Sequence, residues 1–287
     1  MTEVRPLDRL SPAEAADVLT LAAAAAEADG VHPLSEDGVL GLRGTGRTHL
    51  LAYQDGSLAG YAYVDDLSGE LVVHPKHRRR GVGTALLAAA GPRARQFWAH
   101  GDDEGARAFA EGSGFARSRV LWQMRRGLAD LPAVPLPDDV TVRAFVPGAD
   151  DEAWLAVNSR AFAHHPEQGR WTADDLRLRL AEPWFDPAGF LLAVDPAGEL
   201  LGFHWTKVHP AEGGEPAIGE IYVLGVDPGG HRRGLGAALS VAGLHHLAGR
   251  GLSHALLYVD ESNSAAVALY RRLGFEVHST DVMYSRP

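Results

Sequence analysis

The chain of 287 residues contains no cysteine, which excludes disulfides, a thiolate nucleophile and cysteine-ligated metal. It also lacks any apolar run of the roughly 18 residues that a membrane span requires. The alanine-rich stretch 21–26 is flanked by Asp17 and Glu27, so it reads as helix interior and not as a secretion signal. Histidine pairs occur at His164-His165 and His245-His246, yet no metal spacing such as His-Glu-x-x-His is present, and no metal is assigned. A net charge of −10 speaks against general nucleic-acid binding. With 46% hydrophobic and 22% charged residues, the composition is that of a globular chain. It is expected to be cytoplasmic and monomeric, with neither a membrane nor a nucleic acid as partner.

What is present is organised around residues 224–275. A strand ending in Leu224, Gly225, Val226, Asp227 and Pro228 enters a turn of His231, Arg232, Arg233, Gly234, Leu235 and Gly236. Helical spacing follows from Ala237. A basic, glycine-bearing turn lets backbone N–H groups approach an anion at a helix N-terminus, where the helix dipole is positive. Three nucleotide sites use such a turn. A P-loop needs Gly-Lys-Ser/Thr, which is missing. A dinucleotide fold needs a third glycine where Leu239 stands, although Asp260 could mimic its ribose-binding acid. The third is a pyrophosphate cradle for coenzyme A. The first half carries the same signal in Val73, His74, Pro75, then Arg78, Arg79, Arg80, Gly81, Val82, Gly83 and Thr84.

The halves also repeat one order of elements. Residues 3–7 read as a strand, and Ser11-Pro12-Ala13-Glu14 is a capping box that opens a helix to about Asp29. Residues 31–46 read as a loop, 48–54 and 58–65 as a hairpin around Asp55-Gly56, and 70–73 as a strand. A helix at 106–113 is closed by Gly114, and two strands reach Arg125. Residues 131–139, with Pro132, Pro135 and Pro137, read as a linker. A strand at 141–145, a helix at 150–162, a loop at 164–171 and a Thr172-capped helix at 173–181 follow. A hairpin at 190–194 and 200–208 precedes the strand 218–226. After the second cradle and its helix come the strand 254–259, the helix 264–273 and closing strands over 275–284. The doubled order predicts a duplication of one α+β domain, 1–130 and 140–287.

The turn at 231–236, with Asn263, Ala266, Tyr270, Leu273, Gly274 and Phe275, resembles the pattern of the GNAT acetyltransferases. His231 departs from it, standing where glutamine or arginine is usual. The resemblance implies two tandem GNAT acyl-CoA N-acyltransferase domains, each a mixed, mostly antiparallel sheet flanked by helices, with acetyl-CoA as cosubstrate. Four runs are more specific. They are 32–36 (His-Pro-Leu-Ser-Glu), 161–172 (with His-Pro-Glu-Gln-Gly-Arg-Trp-Thr), 202–207 (Gly-Phe-His-Trp-Thr-Lys) and 219–228 (Gly-Glu-Ile-Tyr-Val-Leu-Gly-Val-Asp-Pro). These resemble the mycothiol synthase family, tandem GNAT enzymes that acetylate the cysteinyl amine of cysteinyl-glucosaminyl-inositol in the last step of mycothiol biosynthesis.

By that resemblance Glu36, Glu167, Lys207, Glu220 and Tyr258 would contact the sugar-inositol acceptor. Acetyl-CoA would lie against Leu71, Val72, Val73, Arg79, Arg80, Gly81, Val82, Gly83 and Thr84 in the first half. In the second it would lie against Leu224, Gly225, Val226, His231, Arg232, Arg233, Gly234, Leu235, Gly236 and Ala237, and against Asn263, Ser264, Ala265, Ala266, Val267 and Ala268. Tyr270 stands where GNAT enzymes place a hydroxyl near the departing sulfur. A phenol at about 10 can protonate a thiolate whose thiol lies near 8.5. Glu220 reads as a base, a substrate clamp or a solvated edge residue. Aligning Gly274-Phe275 on Gly114-Phe115 sets Tyr270 on Ala110, and aligning Val226 on Val73 sets Glu220 on Leu67. The first half is therefore expected to bind acetyl-CoA without catalysing transfer. Two other readings stay open: a tandem GNAT acting on another small-molecule or peptide amine, and a non-catalytic acetyl-CoA-binding protein.

Overall fold

The computed structural model describes residues 2–66, 68–91, 95–163, 168–211, 215–230 and 234–286. The chain divides into two compact units, Met1–Leu121 with Ser279–Pro287, and Trp122–His278. This division differs from the expected one at 131–139. Residues 131–139 carry no helix or strand, but the boundary falls earlier, inside one long strand.

In the first unit, β1 (Glu3–Leu7) leads to α1 (Pro12–Asp29). The Ser11–Glu14 capping box forms in both directions, and Gly30 closes the helix in the left-handed conformation at φ 71°. The apolar side of α1, with Val18, Leu21, Ala22 and Ala25, packs on Leu51, Tyr61, Tyr63 and Val72. The stretch read as a loop holds a short helix, α2 (Glu36–Gly41), because the Ser35 side chain accepts from the Gly38 amide. Two glycines within six residues had hidden it. The hairpin of β2 (Thr48–Gln54) and β3 (Ser57–Val64) turns at Asp55 and Gly56, both at positive φ, as a two-residue turn matching strand twist requires. Then follow β4 (Gly69–Val73), α3 (Val82–Ala90), β5 (Gln96–Ala99) and α4 (Glu104–Gly112). The two strands expected up to Arg125 are one, β6 (Ala116–Gly127), whose first half belongs to this unit.

The second unit contains β7 (Thr141–Ala144), α5 (Asp151–Ala161), α6 (Ala173–Leu180), β8 (Phe190–Val194), β9 (Leu200–His209) and β10 (Ile218–Val226). It continues with α7 (Leu235–Gly249), β11 (His254–Asp260) and α8 (Ser264–Arg272). The closing segment is also a single strand, β12 (Glu276–Ser285), whose last residues count with the first unit. There its Val282–Ser285 register pairs antiparallel with β5.

Strands in the first unit run β1-β2-β3-β4-β5-β12 and in the second β11-β10-β9-β8-β7. The registered pairs are antiparallel except β4 with β5 and β10 with β11. Each sheet is therefore mixed and mostly antiparallel, with helices on both faces. In the second unit Leu235 and Leu239 of α7 pack with Leu201 and Ala193, while Leu244 and Leu247 pack with Ile221 and Leu257. Each such leucine contributes roughly 1.5–3 kcal/mol of apolar burial. α7 is also pinned to β9 by the buried His204, whose Nδ1 donates to the Leu239 carbonyl at 2.7 Å. Burial pushes His204 down to about 4, so the ring stays neutral. Among the described residues, no helix is long and apolar enough to cross a membrane.

Candidate active site

The site begins where two parallel strands part. β10 pairs with β11 only at Gly219, Glu220 and Ile221. A bulge between Ile221 and Val223 then bends β10. Beyond it Leu224, Gly225 and Val226 register with β9 alone, which leaves their other edge to an extended ligand. The first unit repeats this: β4 meets β5 only at Gly69 and Glu70, so Leu71, Val72 and Val73 are open on that side.

The cradles lie just past these edges. Gly234 caps α7 at φ 88° and Gly81 caps α3 at φ 81°, and neither helix start has a side-chain cap. By contrast α1, α2, α4, α6 and α8 are each capped by a Ser, Asp, Thr or Asn side chain. The free amides at the two cradle helices are donors an anion can satisfy. Leu235, Val82 and Val267 point into the core, at 0%, 1% and 7% exposure, so only their backbone can face a ligand. Arg78 is held by Asp29 through bonds of 2.7 and 2.6 Å. Arg79 adopts φ 59°, uncommon for a residue with a side chain. These features fit a coenzyme A pyrophosphate. His231, Arg232 and Arg233 lie outside the described residues, as do Glu167 and Leu67.

Glu220 is buried on the face of β10 that looks toward β9's Lys207, its register partner. Its Oε2 lies 2.6 Å from His209 Nε2. Lys207, also buried, holds its ammonium 4.6 Å from the Trp184 ring centre and 5.2 Å from that of Tyr222, a cation–π arrangement. Tyr222 in turn accepts from Arg179 Nε at 2.9 Å, and Arg179 stacks 3.9 Å over Trp171. Tyr258 is 44% exposed, with its hydroxyl accepting from Gln123 Nε2 at 2.8 Å. Tyr270 sits inward on α8, edge-on to Phe275 at 5.8 Å. Burial pushes its hydroxyl up to about 12, and no described residue hydrogen-bonds it. The structure thus brings Lys207 and Glu220 together on one face of neighbouring strands.

Glu36 lies on the first turn of α2, half-buried. The Ser35 amide before it donates to Glu70 Oε2 at 3.0 Å. Glu70 Oε1 and Asp281 Oδ2 each lie 3.1 Å from a different nitrogen of His100. Burial works against a charged His100, but the hydrogen bonds it donates to Asp281 and Glu70 outweigh it and hold the ring protonated, up to about 10.

The two units differ as the Tyr270 alignment implies. Asn263 and Asp103 cap matching helices through Ala266 and Ala106, and Phe275 and Phe115 close them onto the carbonyls of Tyr270 and Ala110. The alignment of Glu220 on Leu67 needs correction. Val64 pairs with Gly69 as Thr206 pairs with Ile221, so the bulge adds one residue and Glu220 falls on Ser68. No carboxylate stands there either. Sequence reasoning missed His209, although it lies two residues from Lys207 and strand alternation sets both on one face.

Residues 154–275 match the acetyltransferase (GNAT) family and residues 45–117 the acetyltransferase (GNAT) domain. A mycothiol acetyltransferase of Salinispora arenicola is 58% identical over 97% of this chain and 95% of its own. One of Thermobispora bispora is 55% identical over 99% of both. Among solved structures, a tandem GNAT protein from the clavulanic acid biosynthesis pathway superposes with a TM-score of 0.73 at 23% identity, covering 99% of this chain and 98% of that one. A GCN5-related N-acetyltransferase from Sphaerobacter thermophilus gives 0.68 at 28% identity, over 100% and 96%. With GNAT matches in both halves and relatives at this identity over nearly their whole length, the chain belongs to the mycothiol acetyltransferase family and is an acetyl-CoA-dependent N-acetyltransferase.

Proposed function

We propose that the second unit transfers the acetyl group of acetyl-CoA to the cysteinyl amine of cysteinyl-glucosaminyl-inositol, and that the first unit binds a second acetyl-CoA without chemistry. The observation that carries the first part is the buried Glu220 at the point where β10 and β11 part. Acetyl-CoA supplies the activated acyl group. Glu220 takes a proton from the arriving ammonium, directly or through a water. The nitrogen then bonds to the acetyl carbon as the carbon–sulfur bond breaks. Tyr270 gives its proton to the departing sulfur, since a hydroxyl near 12 stays protonated at neutral pH, and it is restored by the second proton that the nitrogen loses as the amide forms. The same apolar surroundings raise the basicity of a buried thiolate. Lys207, Tyr258 and Glu167 supply directed partners for the acceptor's hydroxyls, which lose water on binding. The supply of acetyl-CoA puts the reaction in the cytoplasm.

The acceptor is tested by thiol release with three amines: cysteinyl-glucosaminyl-inositol, an aminoglycoside and a peptide N-terminus. The first should have much the highest kcat/KM, and equal values would contradict the assignment. Tyr270→Phe should lower kcat roughly 100-fold with unchanged acetyl-CoA affinity, because the cradle is intact. Unchanged kcat across the pH range would remove Tyr270 from the mechanism.

The second cradle is tested by stoichiometry. A Cβ at Gly83 would stand 3.3 Å from the Phe109 ring, and a glutamate there adds negative charge beside the phosphates. Gly83→Glu should reduce acetyl-CoA binding from two per chain to one, as read by calorimetry. A wild-type stoichiometry of one would refute a silent second site.

A further inference from the structure

Acetylation of an ammonium releases protons that must leave. The ammonium carries three and the amide keeps one; one ends on coenzyme A and one must reach solvent. Glu220, at 8% side-chain exposure, has poor access to water. A buried carboxyl that keeps its proton cannot accept the next one, so turnover depends on how fast it is emptied.

His209 is placed to empty it. It ends β9 opposite Ile218, and diagonal pairing across the two strands sets its ring against Glu220. Its Nε2 lies 2.6 Å from Glu220 Oε2, while its side chain is 37% exposed. The pair thus joins a buried carboxylate to solvent through one titratable ring. Lys207, the register partner of Glu220, cannot substitute. Its amino group is packed against Trp184 and Tyr222, away from the exposed edge that His209 reaches.

We propose that His209 is the proton outlet of the acetyl-transfer site, passing to solvent the proton that Glu220 takes from the acceptor ammonium. The inference rests on the reading of Glu220 as the base. In the step, Glu220 O–H gives its proton to His209 Nε2, which restores the carboxylate and forms an imidazolium. The imidazolium then yields a proton to a buffer base at its exposed edge. No electrons move between groups. His209 is a positioning and relay residue; it does not touch the acetyl carbon.

The test uses the full chain with saturating acetyl-CoA and acceptor in a weakly basic, dilute buffer. His209→Asn should lower kcat about 10- to 100-fold with acetyl-CoA affinity unchanged. Added imidazole should restore it in a saturable manner while leaving wild type unaffected. His209→Gln, which can still donate to Glu220, should behave the same way and guards against a folding defect in the first variant. Wild-type kcat in both variants, or a loss that imidazole does not repair, would overturn the outlet. Glu220→Gln should lose roughly 10²- to 10⁴-fold in kcat, with or without imidazole. Full activity of Glu220→Gln would instead remove the base on which the inference rests, so the two failures are distinguishable.

Discussion

Glu220→Gln should lower kcat by roughly 10²- to 10⁴-fold and leave acetyl-CoA binding unchanged. Glutamine has the same length and can keep a hydrogen bond to His209, so the buried site retains its shape. What it loses is the capacity to take a proton. The kinetic pattern separates the three roles open to this carboxylate. A base acts in the transition state, so kcat and kcat/KM fall together; a clamp that binds acceptor equally in ground and transition states raises KM alone. An edge residue would change neither. The burial of Glu220 at 6% exposure already weighs against the edge reading. Steady-state kinetics with the amine varied at saturating acetyl-CoA checks the pattern, and a rise in KM at constant kcat would reassign Glu220 to binding.

His100→Asn should destabilise the protein by roughly 3–5 kcal/mol near pH 6, because it strips the counter-charge from the buried Glu70 carboxylate. The dependence on pH has a definite sign. The ring's ordinary value is 6.5 and in the fold it is held up to about 10. A folded-state value above the unfolded one stabilises fully below about 6.5, and that contribution drains away as pH rises through 10. The gap between wild type and His100→Asn in the urea midpoint should therefore be widest near pH 6 and narrow toward pH 10. A gap of constant size would mean that the ring packs but carries no charge. Because Glu70 also accepts from Ser35, the variant should loosen the turn that presents Glu36 as well.

Local signals in the sequence translated well. The Ser11–Glu14 capping box, the Asp55-Gly56 hairpin and the Thr172 cap each involve residues within a few positions of one another, and each forms. The helix starts at Gly81 and Gly234 were legible for the same reason, since glycine at positive φ acts locally. Elements whose signal was weak or interrupted were misread: α2 contains two glycines, and β6 runs through what looked like two strands. The bulge in β10 was invisible because an extra residue leaves no mark on alternation until the partner strand is known. It shifted the counterpart of Glu220 from Leu67 to Ser68. The cluster of Glu70, His100 and Asp281 lay furthest from view. Its members are 30 and 181 positions apart, and only the return of β12 beside β5 brings Asp281 to His100.

The central claim is that this chain acetylates the cysteinyl nitrogen of an amino sugar joined to inositol. The most direct measurement incubates the protein with acetyl-CoA and cysteinyl-glucosaminyl-inositol, then determines product mass and titrates free thiols. The account predicts one acetyl group added per acceptor, a product that keeps its cysteinyl thiol but no longer reacts as an amine, and one coenzyme A thiol released per product. An acceptor left unchanged while acetyl-CoA persists, or a product acetylated on sulfur with its amine free, would contradict it.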